Sequence, residues 1–366
     1  MSKKLILVSV SGDTGSDRKV NDLQQILLRN NYLIDVYNVF SPHQINNKLI
    51  KFLLLYIKKK PGGRFFALLI ADVYLFFNIK KDDNVGVLCV TYPLIGIFNR
   101  INTFCKVYTY FYYIPDMMWM KKYVSNTYWY IFRKFAFLSI NSCHFILAPT
   151  SSAMIDLLTF IKIKDQKKIM RMTEYFNSDY WVNLEPQKPI NITFGSKFIF
   201  APGVLKPSKN IINNILAFDK LQPYNDIHLV LLVNKNAFLE YLKSFGVKVL
   251  ESTIDKIIFM EKINDAKMKW LYQNCLFVSI PSIEEGVGLP ILEGQALNAK
   301  ILTSISSAMP QTSALNAIFV DPFSVNSIYN GFIKIIENKD ANCSTAFDIM
   351  SEETLLFDIS EIYKKI

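Results

Sequence analysis

The sequence predicts an α/β protein with two domains, each built on a doubly wound parallel sheet. Apolar runs of strand length alternate with helical segments along most of the chain, and this alternation is typical of parallel sheets covered by helices. A length of 366 residues exceeds the usual size of a single domain. Apolar residues make up 51% of the chain, which is enough to form two hydrophobic cores.

The N-terminal half, residues 1–184, contains six segments with the apolar composition of buried strands. They lie at 5–10, 33–39, 85–91, 106–113, 144–148 and 168–173. Helices are expected between them, for example at 19–29, 65–77 and 151–160. The polar, proline-containing segment 185–196 has no clear periodicity, so we interpret it as the linker between the domains.

The C-terminal half repeats the alternation of strands and helices. Strands are predicted at 198–201, 228–233, 256–260, 275–280, 301–304 and 317–320. Helices are predicted between them, for example at 210–220 and 237–245. We therefore place a second domain at 197–345, followed by a last helical segment at 346–366.

The stretch 278–298 carries the clearest functional signal in the chain. A short apolar strand runs into a loop that holds Glu285, Gly286 and Gly288, and Glu293 lies one turn into the helix that follows. In α/β sheets ligands bind at the carboxyl ends of strands, and a helix N-terminus attracts anions. Carboxylates accept hydrogen bonds from hydroxyl groups. A ligand that has both phosphate and many hydroxyls, such as a nucleotide sugar, fits this pattern.

A second informative loop follows the first strand of the C-terminal half. Gly203 would let the backbone approach a ligand closely. Lys209, which stands before Asn210 at the start of a helix, can meet a diphosphate as a point charge. Taken alone, this lysine is more typical of a surface turn. Beside the glutamate-bearing stretch, binding of phosphate becomes the better interpretation.

Residues 285–294 read Glu-Gly-Val-Gly-Leu-Pro-Ile-Leu-Glu-Gly. This segment resembles the signature of the retaining glycosyltransferases of family 4, the group 1 glycosyl transferases, which runs Glu-Gly-Phe-Gly-Leu-Pro-x-x-Glu-Ala. The likeness covers most of residues 197–366. It implies the GT-B fold, in which two Rossmann-like domains face each other across a cleft and a C-terminal helix, here 346–366, crosses back to the first domain.

The resemblance implies a donor site for a nucleotide diphosphate sugar. Glu285 would hold hydroxyls of the donor sugar, Glu293 the ribose and Lys209 the diphosphate. The other donor-binding positions that it implies are Gly203, Asn210, Gly286, Val287, Gly288 and Leu289. Family members retain the anomeric configuration and need no metal or other cofactor. In keeping with that, no Asp-x-Asp motif stands where a metal-bridged diphosphate would require it.

The N-terminal half shows the resemblance less clearly. Gly12 and Gly15 form a candidate phosphate loop after the first strand, because glycine-rich turns can direct N–H groups at phosphates. A plain β–α turn is an equal alternative. The family's histidine at the reaction centre has no counterpart in 107–116, where Phe111 stands near its place. We expect Asp116 or a tyrosine to contribute on the acceptor side. The alternative is that this chain has lost some of the family's catalytic residues.

Positive charge is concentrated in the N-terminal half. Residues 1–184 hold 24 Lys+Arg and 12 Asp+Glu, and the remaining residues hold 17 and 19, so balances of +12 and −2 give the net +10. Basic residues are interleaved with aromatic and aliphatic ones at 48–64 and 119–135. This suits an anionic membrane surface, where each Lys or Arg contributes about 1 kcal/mol. A solvated helix face is the alternative, and no nucleic-acid motif accompanies the charge.

The remaining composition favours a cytoplasmic protein at the inner face of the membrane. Five scattered cysteines read as reduced thiols, and three histidines show no metal-ligand spacing. Nothing resembles a signal peptide, and the longest apolar region, 65–77, is too short to span a bilayer.

We expect a metal-independent hexosyltransferase that moves a sugar to a lipid-linked saccharide acceptor during O-antigen or capsule polysaccharide assembly. The alternatives are a non-catalytic relative that binds a nucleotide sugar at the membrane, and a different enzyme on a similar fold, either an inverting GT-B transferase or a phosphorylase. A phosphorylase would normally carry a lysine for pyridoxal phosphate, for which the sequence offers no compelling candidate.

Overall fold

The computed structural model describes residues 4–9, 15–38, 85–89, 106–110, 140, 143–161, 163, 165–193, 195–221, 226–261, 263–337 and 350–365. The chain divides into two compact units, of which the first comprises 1–175 with 350–366 and the second comprises 176–349. The described strands form one six-stranded sheet in each unit, and the strand pairs in both sheets are parallel. The predicted α/β class with doubly wound sheets is confirmed.

The sheet of the first unit has the order β2-β1-β3-β4-β5-β6. Its strands are β1 Lys4–Ser9, β2 Leu33–Asn38, β3 Val85–Cys89, β4 Lys106–Tyr110, β5 Phe145–Ala148 and β6 Ile169–Arg171. Its described helices are α1 Gly15–Arg29 and α2 Ser151–Asp156, which a π-helical turn extends over Leu157–Ile161. All six strands predicted from the sequence are therefore present. The predicted helix at 65–77 lies outside the described residues.

The C-terminal helix α11, Glu352–Lys365, packs within the first unit. Leu355, Ile359 and Ile362 recur at helical spacing and join one buried cluster with Leu5 and Leu27. The chain therefore returns to its first unit at the end, as the GT-B fold requires.

A buried hydrogen bond also ties the C-terminal helix to the sheet. The Asp358 carboxylate accepts a hydrogen bond from the Thr173 N–H, just beyond β6, at 2.7 Å. Both residues are buried, so this bond is shielded from water.

The sheet of the second unit has the order β12-β11-β10-β7-β8-β9. Its strands are β7 Lys197–Ala201, β8 Ile227–Leu231, β9 Ile257–Phe259, β10 Phe277–Ile280, β11 Ile301–Ser304 and β12 Ile318–Val320. The described helices of this unit are α3 Ser178–Asn183, α4 Ile211–Asp219, α5 Lys235–Ser244, α6 Glu251–Asp255, α7 Asp265–Asn274, α8 Leu289–Ala296, α9 Met309–Thr312 and α10 Val325–Glu337. The six strands predicted here are also present.

The strand order of this sheet reverses between β7 and β10. The chain builds β7, β8 and β9 toward one edge and then β10, β11 and β12 toward the other. At such a reversal the loops after the two neighbouring strands diverge and leave a crevice that binds ligands. The two loops that the sequence singled out, after β7 and after β10, flank this point.

The second unit begins at 176, within the first domain that the sequence suggested, which was expected to end at 184. The segment expected to end the first domain forms α3, which packs on α8. The indole of Trp181 meets the ring of Tyr272 edge-on, with centroids 6.0 Å apart. Within the expected linker, the Gln187 N–H donates to the Ala266 carbonyl at 2.9 Å. These contacts bind the segment 176–193 to the second unit, whose other boundary falls at 349 rather than 345.

Across the described parts of the chain, the helices are too short or too polar to cross a lipid bilayer.

Candidate functional site

An ion pair joins the two loops at the reversal of the sheet. Lys209 lies in a 3₁₀ turn, Pro207–Lys209, after β7, and its Nζ donates to Oε1 of Glu285 in the loop after β10. The side chains are 21% and 8% exposed, so the pair is largely withdrawn from water. The sequence assigned these two residues to different parts of one ligand, and the structure brings them into direct contact.

The carboxylate of Glu285 is held from one side only. The hydroxyl of Ser282, which is 1% exposed, donates to the same Oε1 atom at 3.0 Å. Oε2 receives no hydrogen bond from the residues that the structure describes. Oε1 is therefore anchored by a cation and a hydroxyl, and Oε2 remains able to accept a hydrogen bond from a ligand hydroxyl.

The backbone of Glu285 is fixed by a serine in the loop after β11. Ser307 Oγ accepts the Glu285 N–H at 3.2 Å and donates to the Glu285 carbonyl at 2.8 Å. Ser307 has a φ of 56°, in the left-handed region that residues with a side chain rarely adopt. One hydroxyl thus satisfies both backbone groups of the glutamate. Neither Ser282 nor Ser307 is predicted from the sequence as a site residue, although both follow strands whose carboxyl ends meet at this edge of the sheet.

Asn210 braces the loops around the ion pair. It has a left-handed backbone with a φ of 54° and is 6% exposed. Its amide Nδ2 donates to the carbonyl of Pro281 at 2.9 Å and to that of Pro322 at 2.6 Å. Both amide hydrogens are therefore used to tie together the loops after β7, β10 and β12. The sequence placed Asn210 among the donor-binding residues, and the structure gives it this bracing role.

The glycine-rich segment leads into α8. Gly288 precedes the helix with a φ of 84°, and a Cβ there would come within 2.8 Å of Met309 Cε. The fold itself therefore requires glycine at this position. Gly286 and Val287 are buried, and Leu289 is half-buried at the first helical position. These predicted donor-binding residues lie together at the N-terminus of α8. This helix end carries a partial positive charge, and it follows Glu285 closely in the chain.

Gly203, in the loop after β7, differs from Gly288. Its N–H donates to the Ala201 carbonyl at 2.9 Å, and an added Cβ would meet only ordinary contacts, the nearest at 3.6 Å to Ile211. The protein's own packing does not require a glycine here. The position fits the predicted close approach of a ligand to the backbone.

Glu293 lies on α8 and contacts a tyrosine of the preceding helix. The hydroxyl of Tyr272, on α7, donates to Glu293 Oε2 at 2.7 Å. Tyr272 is 1% exposed, and this burial, followed by the nearby charge of Glu293, raises the pKa of its hydroxyl well above the ordinary value. The tyrosine therefore stays protonated and donates. No role is predicted for Tyr272 from the sequence.

Most of the site residues predicted in the N-terminal half lie outside the residues that the structure describes. Gly12, Asp116 and Phe111 lie outside the described residues, as do the basic and aromatic segments 48–64 and 119–135. Gly15 is described and begins α1. In the described part of the chain, no three His, Cys, Asp or Glu side chains are grouped as a metal site would need. Independence from metal stays a prediction.

Part of the chain matches a known family and a known protein. Residues 185–346 match the family model described as Glycosyl transferases group 1. The O-antigen chain mannosyltransferase RfbU of Salmonella typhimurium is 22% identical over 258 residues, which cover 70% of this chain. The match spans 66% of that relative's own length.

Solved structures of low sequence identity share the fold. Sucrose-phosphate synthase of Thermosynechococcus elongatus superimposes with a TM-score of 0.71 at 12% identity, over 99% of this chain and 98% of that one. Anabaena HepE in complex with UDP and glucose gives 0.64 at 14% identity, over the full length of both chains. A glycosyltransferase of Rickettsia africae gives 0.63 at 19% identity, over 100% of this chain and 98% of that one. The fold is therefore GT-B.

Proposed function

We propose that this chain, whose residues 185–346 match the group 1 glycosyl transferases, moves a hexosyl group from a nucleotide diphosphate sugar to a saccharide acceptor. The observation that carries this proposal is the buried contact between Lys209 and Glu285 at the reversal of the sheet. A cation and a carboxylate in contact can serve one ligand that joins a diphosphate to a polyhydroxylated sugar.

Departure of the diphosphate is the step that Lys209 assists. As the bond between the anomeric carbon and the phosphate oxygen breaks, negative charge builds on the diphosphate. Lys209 Nζ has three N–H groups, and one of them donates to Glu285, so two can donate to phosphate oxygens. The N-terminus of α8 adds its partial positive charge. In this scheme the transfer needs no metal ion.

The two carboxylates hold the parts of the donor on either side of the diphosphate. Glu285 Oε2 accepts hydrogen bonds from hydroxyls of the donor sugar, because Oε1 is already occupied by Lys209 and Ser282. Glu293 accepts hydrogen bonds from the ribose. With both ends fixed, the anomeric carbon has a defined position relative to the acceptor.

We further propose that the configuration at the anomeric carbon is retained. The acceptor oxygen attacks the face from which the diphosphate leaves, through a state with oxocarbenium character. The new bond joins the acceptor oxygen to the anomeric carbon, and the acceptor proton passes to the departing phosphate oxygen. The acceptor is a lipid-linked saccharide in this proposal, and the setting is assembly of a cell-surface polysaccharide, O-antigen or capsule. A low-identity relative that is an O-antigen chain mannosyltransferase supports this choice.

The proposed location is the cytoplasmic face of a membrane, where the protein binds peripherally. Support comes from the sequence, in which the positive balance of residues 1–184 accompanies aromatic and aliphatic residues. Flotation with vesicles tests this. Binding to vesicles that contain phosphatidylglycerol, absent with phosphatidylcholine alone and lost at high salt, is expected. Failure to float with the anionic vesicles would contradict the membrane location.

Turnover of nucleotide sugars tests the catalytic proposal. The purified full chain is incubated with UDP-glucose, UDP-N-acetylglucosamine or GDP-mannose and a polyprenyl-linked saccharide acceptor, with EDTA present throughout. We expect transfer from one donor class to give a product of the same anomeric configuration, as read by NMR. An inverted product would contradict retention and favour the inverting alternative. Binding of a nucleotide without turnover of any donor would favour the non-catalytic alternative.

A further inference from the structure

We propose that Tyr272 is a positioning residue that orients the carboxylate of Glu293 toward the ribose of a bound nucleotide. This inference rests on the proposed function, which assigns the ribose to Glu293. Its basis is the hydrogen bond from the Tyr272 hydroxyl to Glu293 Oε2 at 2.7 Å, a normal length for a strong bond between a hydroxyl and a carboxylate. Both residues belong to the second unit, so the contact lies within one compact body.

The ring of Tyr272 is enclosed on several sides. Trp181 meets it edge-on at 6.0 Å with planes at 86°, and Phe200 meets it at 5.1 Å with planes at 72°. On the side of α8, a Cβ added to Gly294 would lie 3.5 Å from Tyr272 Cδ1. With 1% of its surface exposed, the ring cannot swing away without moving these neighbours. The hydroxyl therefore occupies a fixed point beside α8.

The segment that carries Trp181 is itself held against α7. The Nζ of Lys269 donates to the Val182 carbonyl at 2.7 Å, and the Tyr180 hydroxyl donates to Asp265 Oδ2 at the same distance. Each neighbour of Trp181 in the chain is thus tied to the helix that carries Tyr272. The aromatic enclosure is a rigid part of the second unit, on which a hydroxyl can be held in place for function.

The protonation state of Tyr272 suits a permanent donor. Burial and the charge of Glu293 raise the pKa of its hydroxyl, so the O–H persists at neutral pH. A carboxylate has about four acceptor positions, so a bond from tyrosine still allows Glu293 to accept ribose hydroxyls. Without that bond, the long glutamate side chain would sample more rotamers, and ordering it would reduce the affinity for ribose.

Calorimetric titration of the purified full chain with two kinds of nucleotide tests this role. Wild-type protein and the Tyr272→Phe variant are titrated with UDP and GDP and with the 2′,3′-dideoxy forms of both. Phenylalanine keeps the ring and its enclosure but removes the hydroxyl. For the ribose nucleotide that binds, we expect Tyr272→Phe to weaken affinity about 5–10-fold. Affinity for its dideoxy form should stay within about twofold, because the hydroxyls that Glu293 would hold are absent.

A matched control is Tyr329→Phe, which removes a hydroxyl from a tyrosine packed beside the core on α10. It should bind all nucleotides like the wild type. Equal weakening of ribose and dideoxy nucleotides by Tyr272→Phe would overturn the positioning role and leave only a packing role. Unchanged affinity in Tyr272→Phe, or wild-type protein that binds both nucleotide forms equally, would also overturn it. Wild-type protein that binds neither UDP nor GDP would instead contradict the proposed donor site, and the positioning role would fall with it.

Discussion

The two glutamates of the signature, which have seven residues between them in the chain, have opposite surroundings. Glu285 is buried, and its carboxylate contacts the charged group of Lys209. Glu293 is half-buried, and a neutral hydroxyl, that of Tyr272, donates to it. In the structure one belongs to a charge-compensated pair at the reversal of the sheet, and the other is held by an aromatic residue on a neighbouring helix.

The two carboxylates therefore differ in how strongly they depend on a neighbouring positive charge. A buried carboxylate that loses its cation is left with an uncompensated charge, which is costly in a poorly solvated site. A half-exposed carboxylate that loses a neutral hydrogen bond can be solvated by water, so it loses mainly its orientation. Changes around Glu285 should therefore affect stability and catalysis together. Changes around Glu293 should affect recognition of the nucleotide more than stability.

The largest expected effect on stability comes from the cation. Lys209→Met should lower the free energy of unfolding in urea by about 2–3 kcal/mol, because Glu285 would stay buried without its partner. This loss in the free energy of unfolding is smaller than we would expect for a fully buried ion pair, because the lysine side chain is 21% exposed.

The double variant Lys209→Met with Glu285→Gln provides the control. It should recover most of the lost stability, since no uncompensated charge remains. It should nevertheless remain inactive in the transfer reaction. Equal stability of the wild type and Lys209→Met would show that the ion pair does not compensate a buried charge.

A smaller effect is expected at the serine that holds the backbone of Glu285. Ser307→Ala removes two hydrogen bonds and should cost about 1–2 kcal/mol in urea unfolding. Ser307→Gly removes the same bonds but relieves the left-handed backbone, so it should be more stable than Ser307→Ala by about 1 kcal/mol.

Turnover separates the two roles of Ser307. Both variants should lower kcat to a similar extent if the hydroxyl keeps Glu285 in place, because both lack it. If Ser307→Gly retained the wild-type kcat, the backbone of Glu285 would not depend on this hydroxyl.

The fold could be predicted because its signals are local. Strands alternate with helices at regular spacing, and the two loops of interest each follow an apolar strand. The contact between Lys209 and Glu285 joins residues 76 positions apart in the sequence, and neither loop contains a pattern that predicts this ion pair. The same holds for Ser307, whose partner lies in another loop. Such contacts depend on the strand order, which the sequence alone does not specify.

Asn210 and α3 show which details the sequence did not reveal. Asn210 is predicted to bind the donor, and the structure shows in addition that its left-handed backbone and its amide brace three loops. The segment after β6 looked like the end of the first domain, but Trp181 packs against Tyr272 and fastens it to the second unit. In both cases the decisive partner is distant in sequence.

The most direct test of the account compares two neighbouring glutamates in the transfer reaction. Glu284 and Glu285 are adjacent in one loop, but only Glu285 contacts Lys209 among the described ion pairs. With the donor found by the turnover screen, Glu285→Gln should reduce kcat roughly 100-fold or more, because the amide is uncharged and its one acceptor oxygen would be occupied by Lys209 and Ser282. Glu284→Gln should stay within about twofold of the wild type in kcat. A Glu285→Gln enzyme with near-wild-type kcat would contradict the assignment of this carboxylate to the donor sugar.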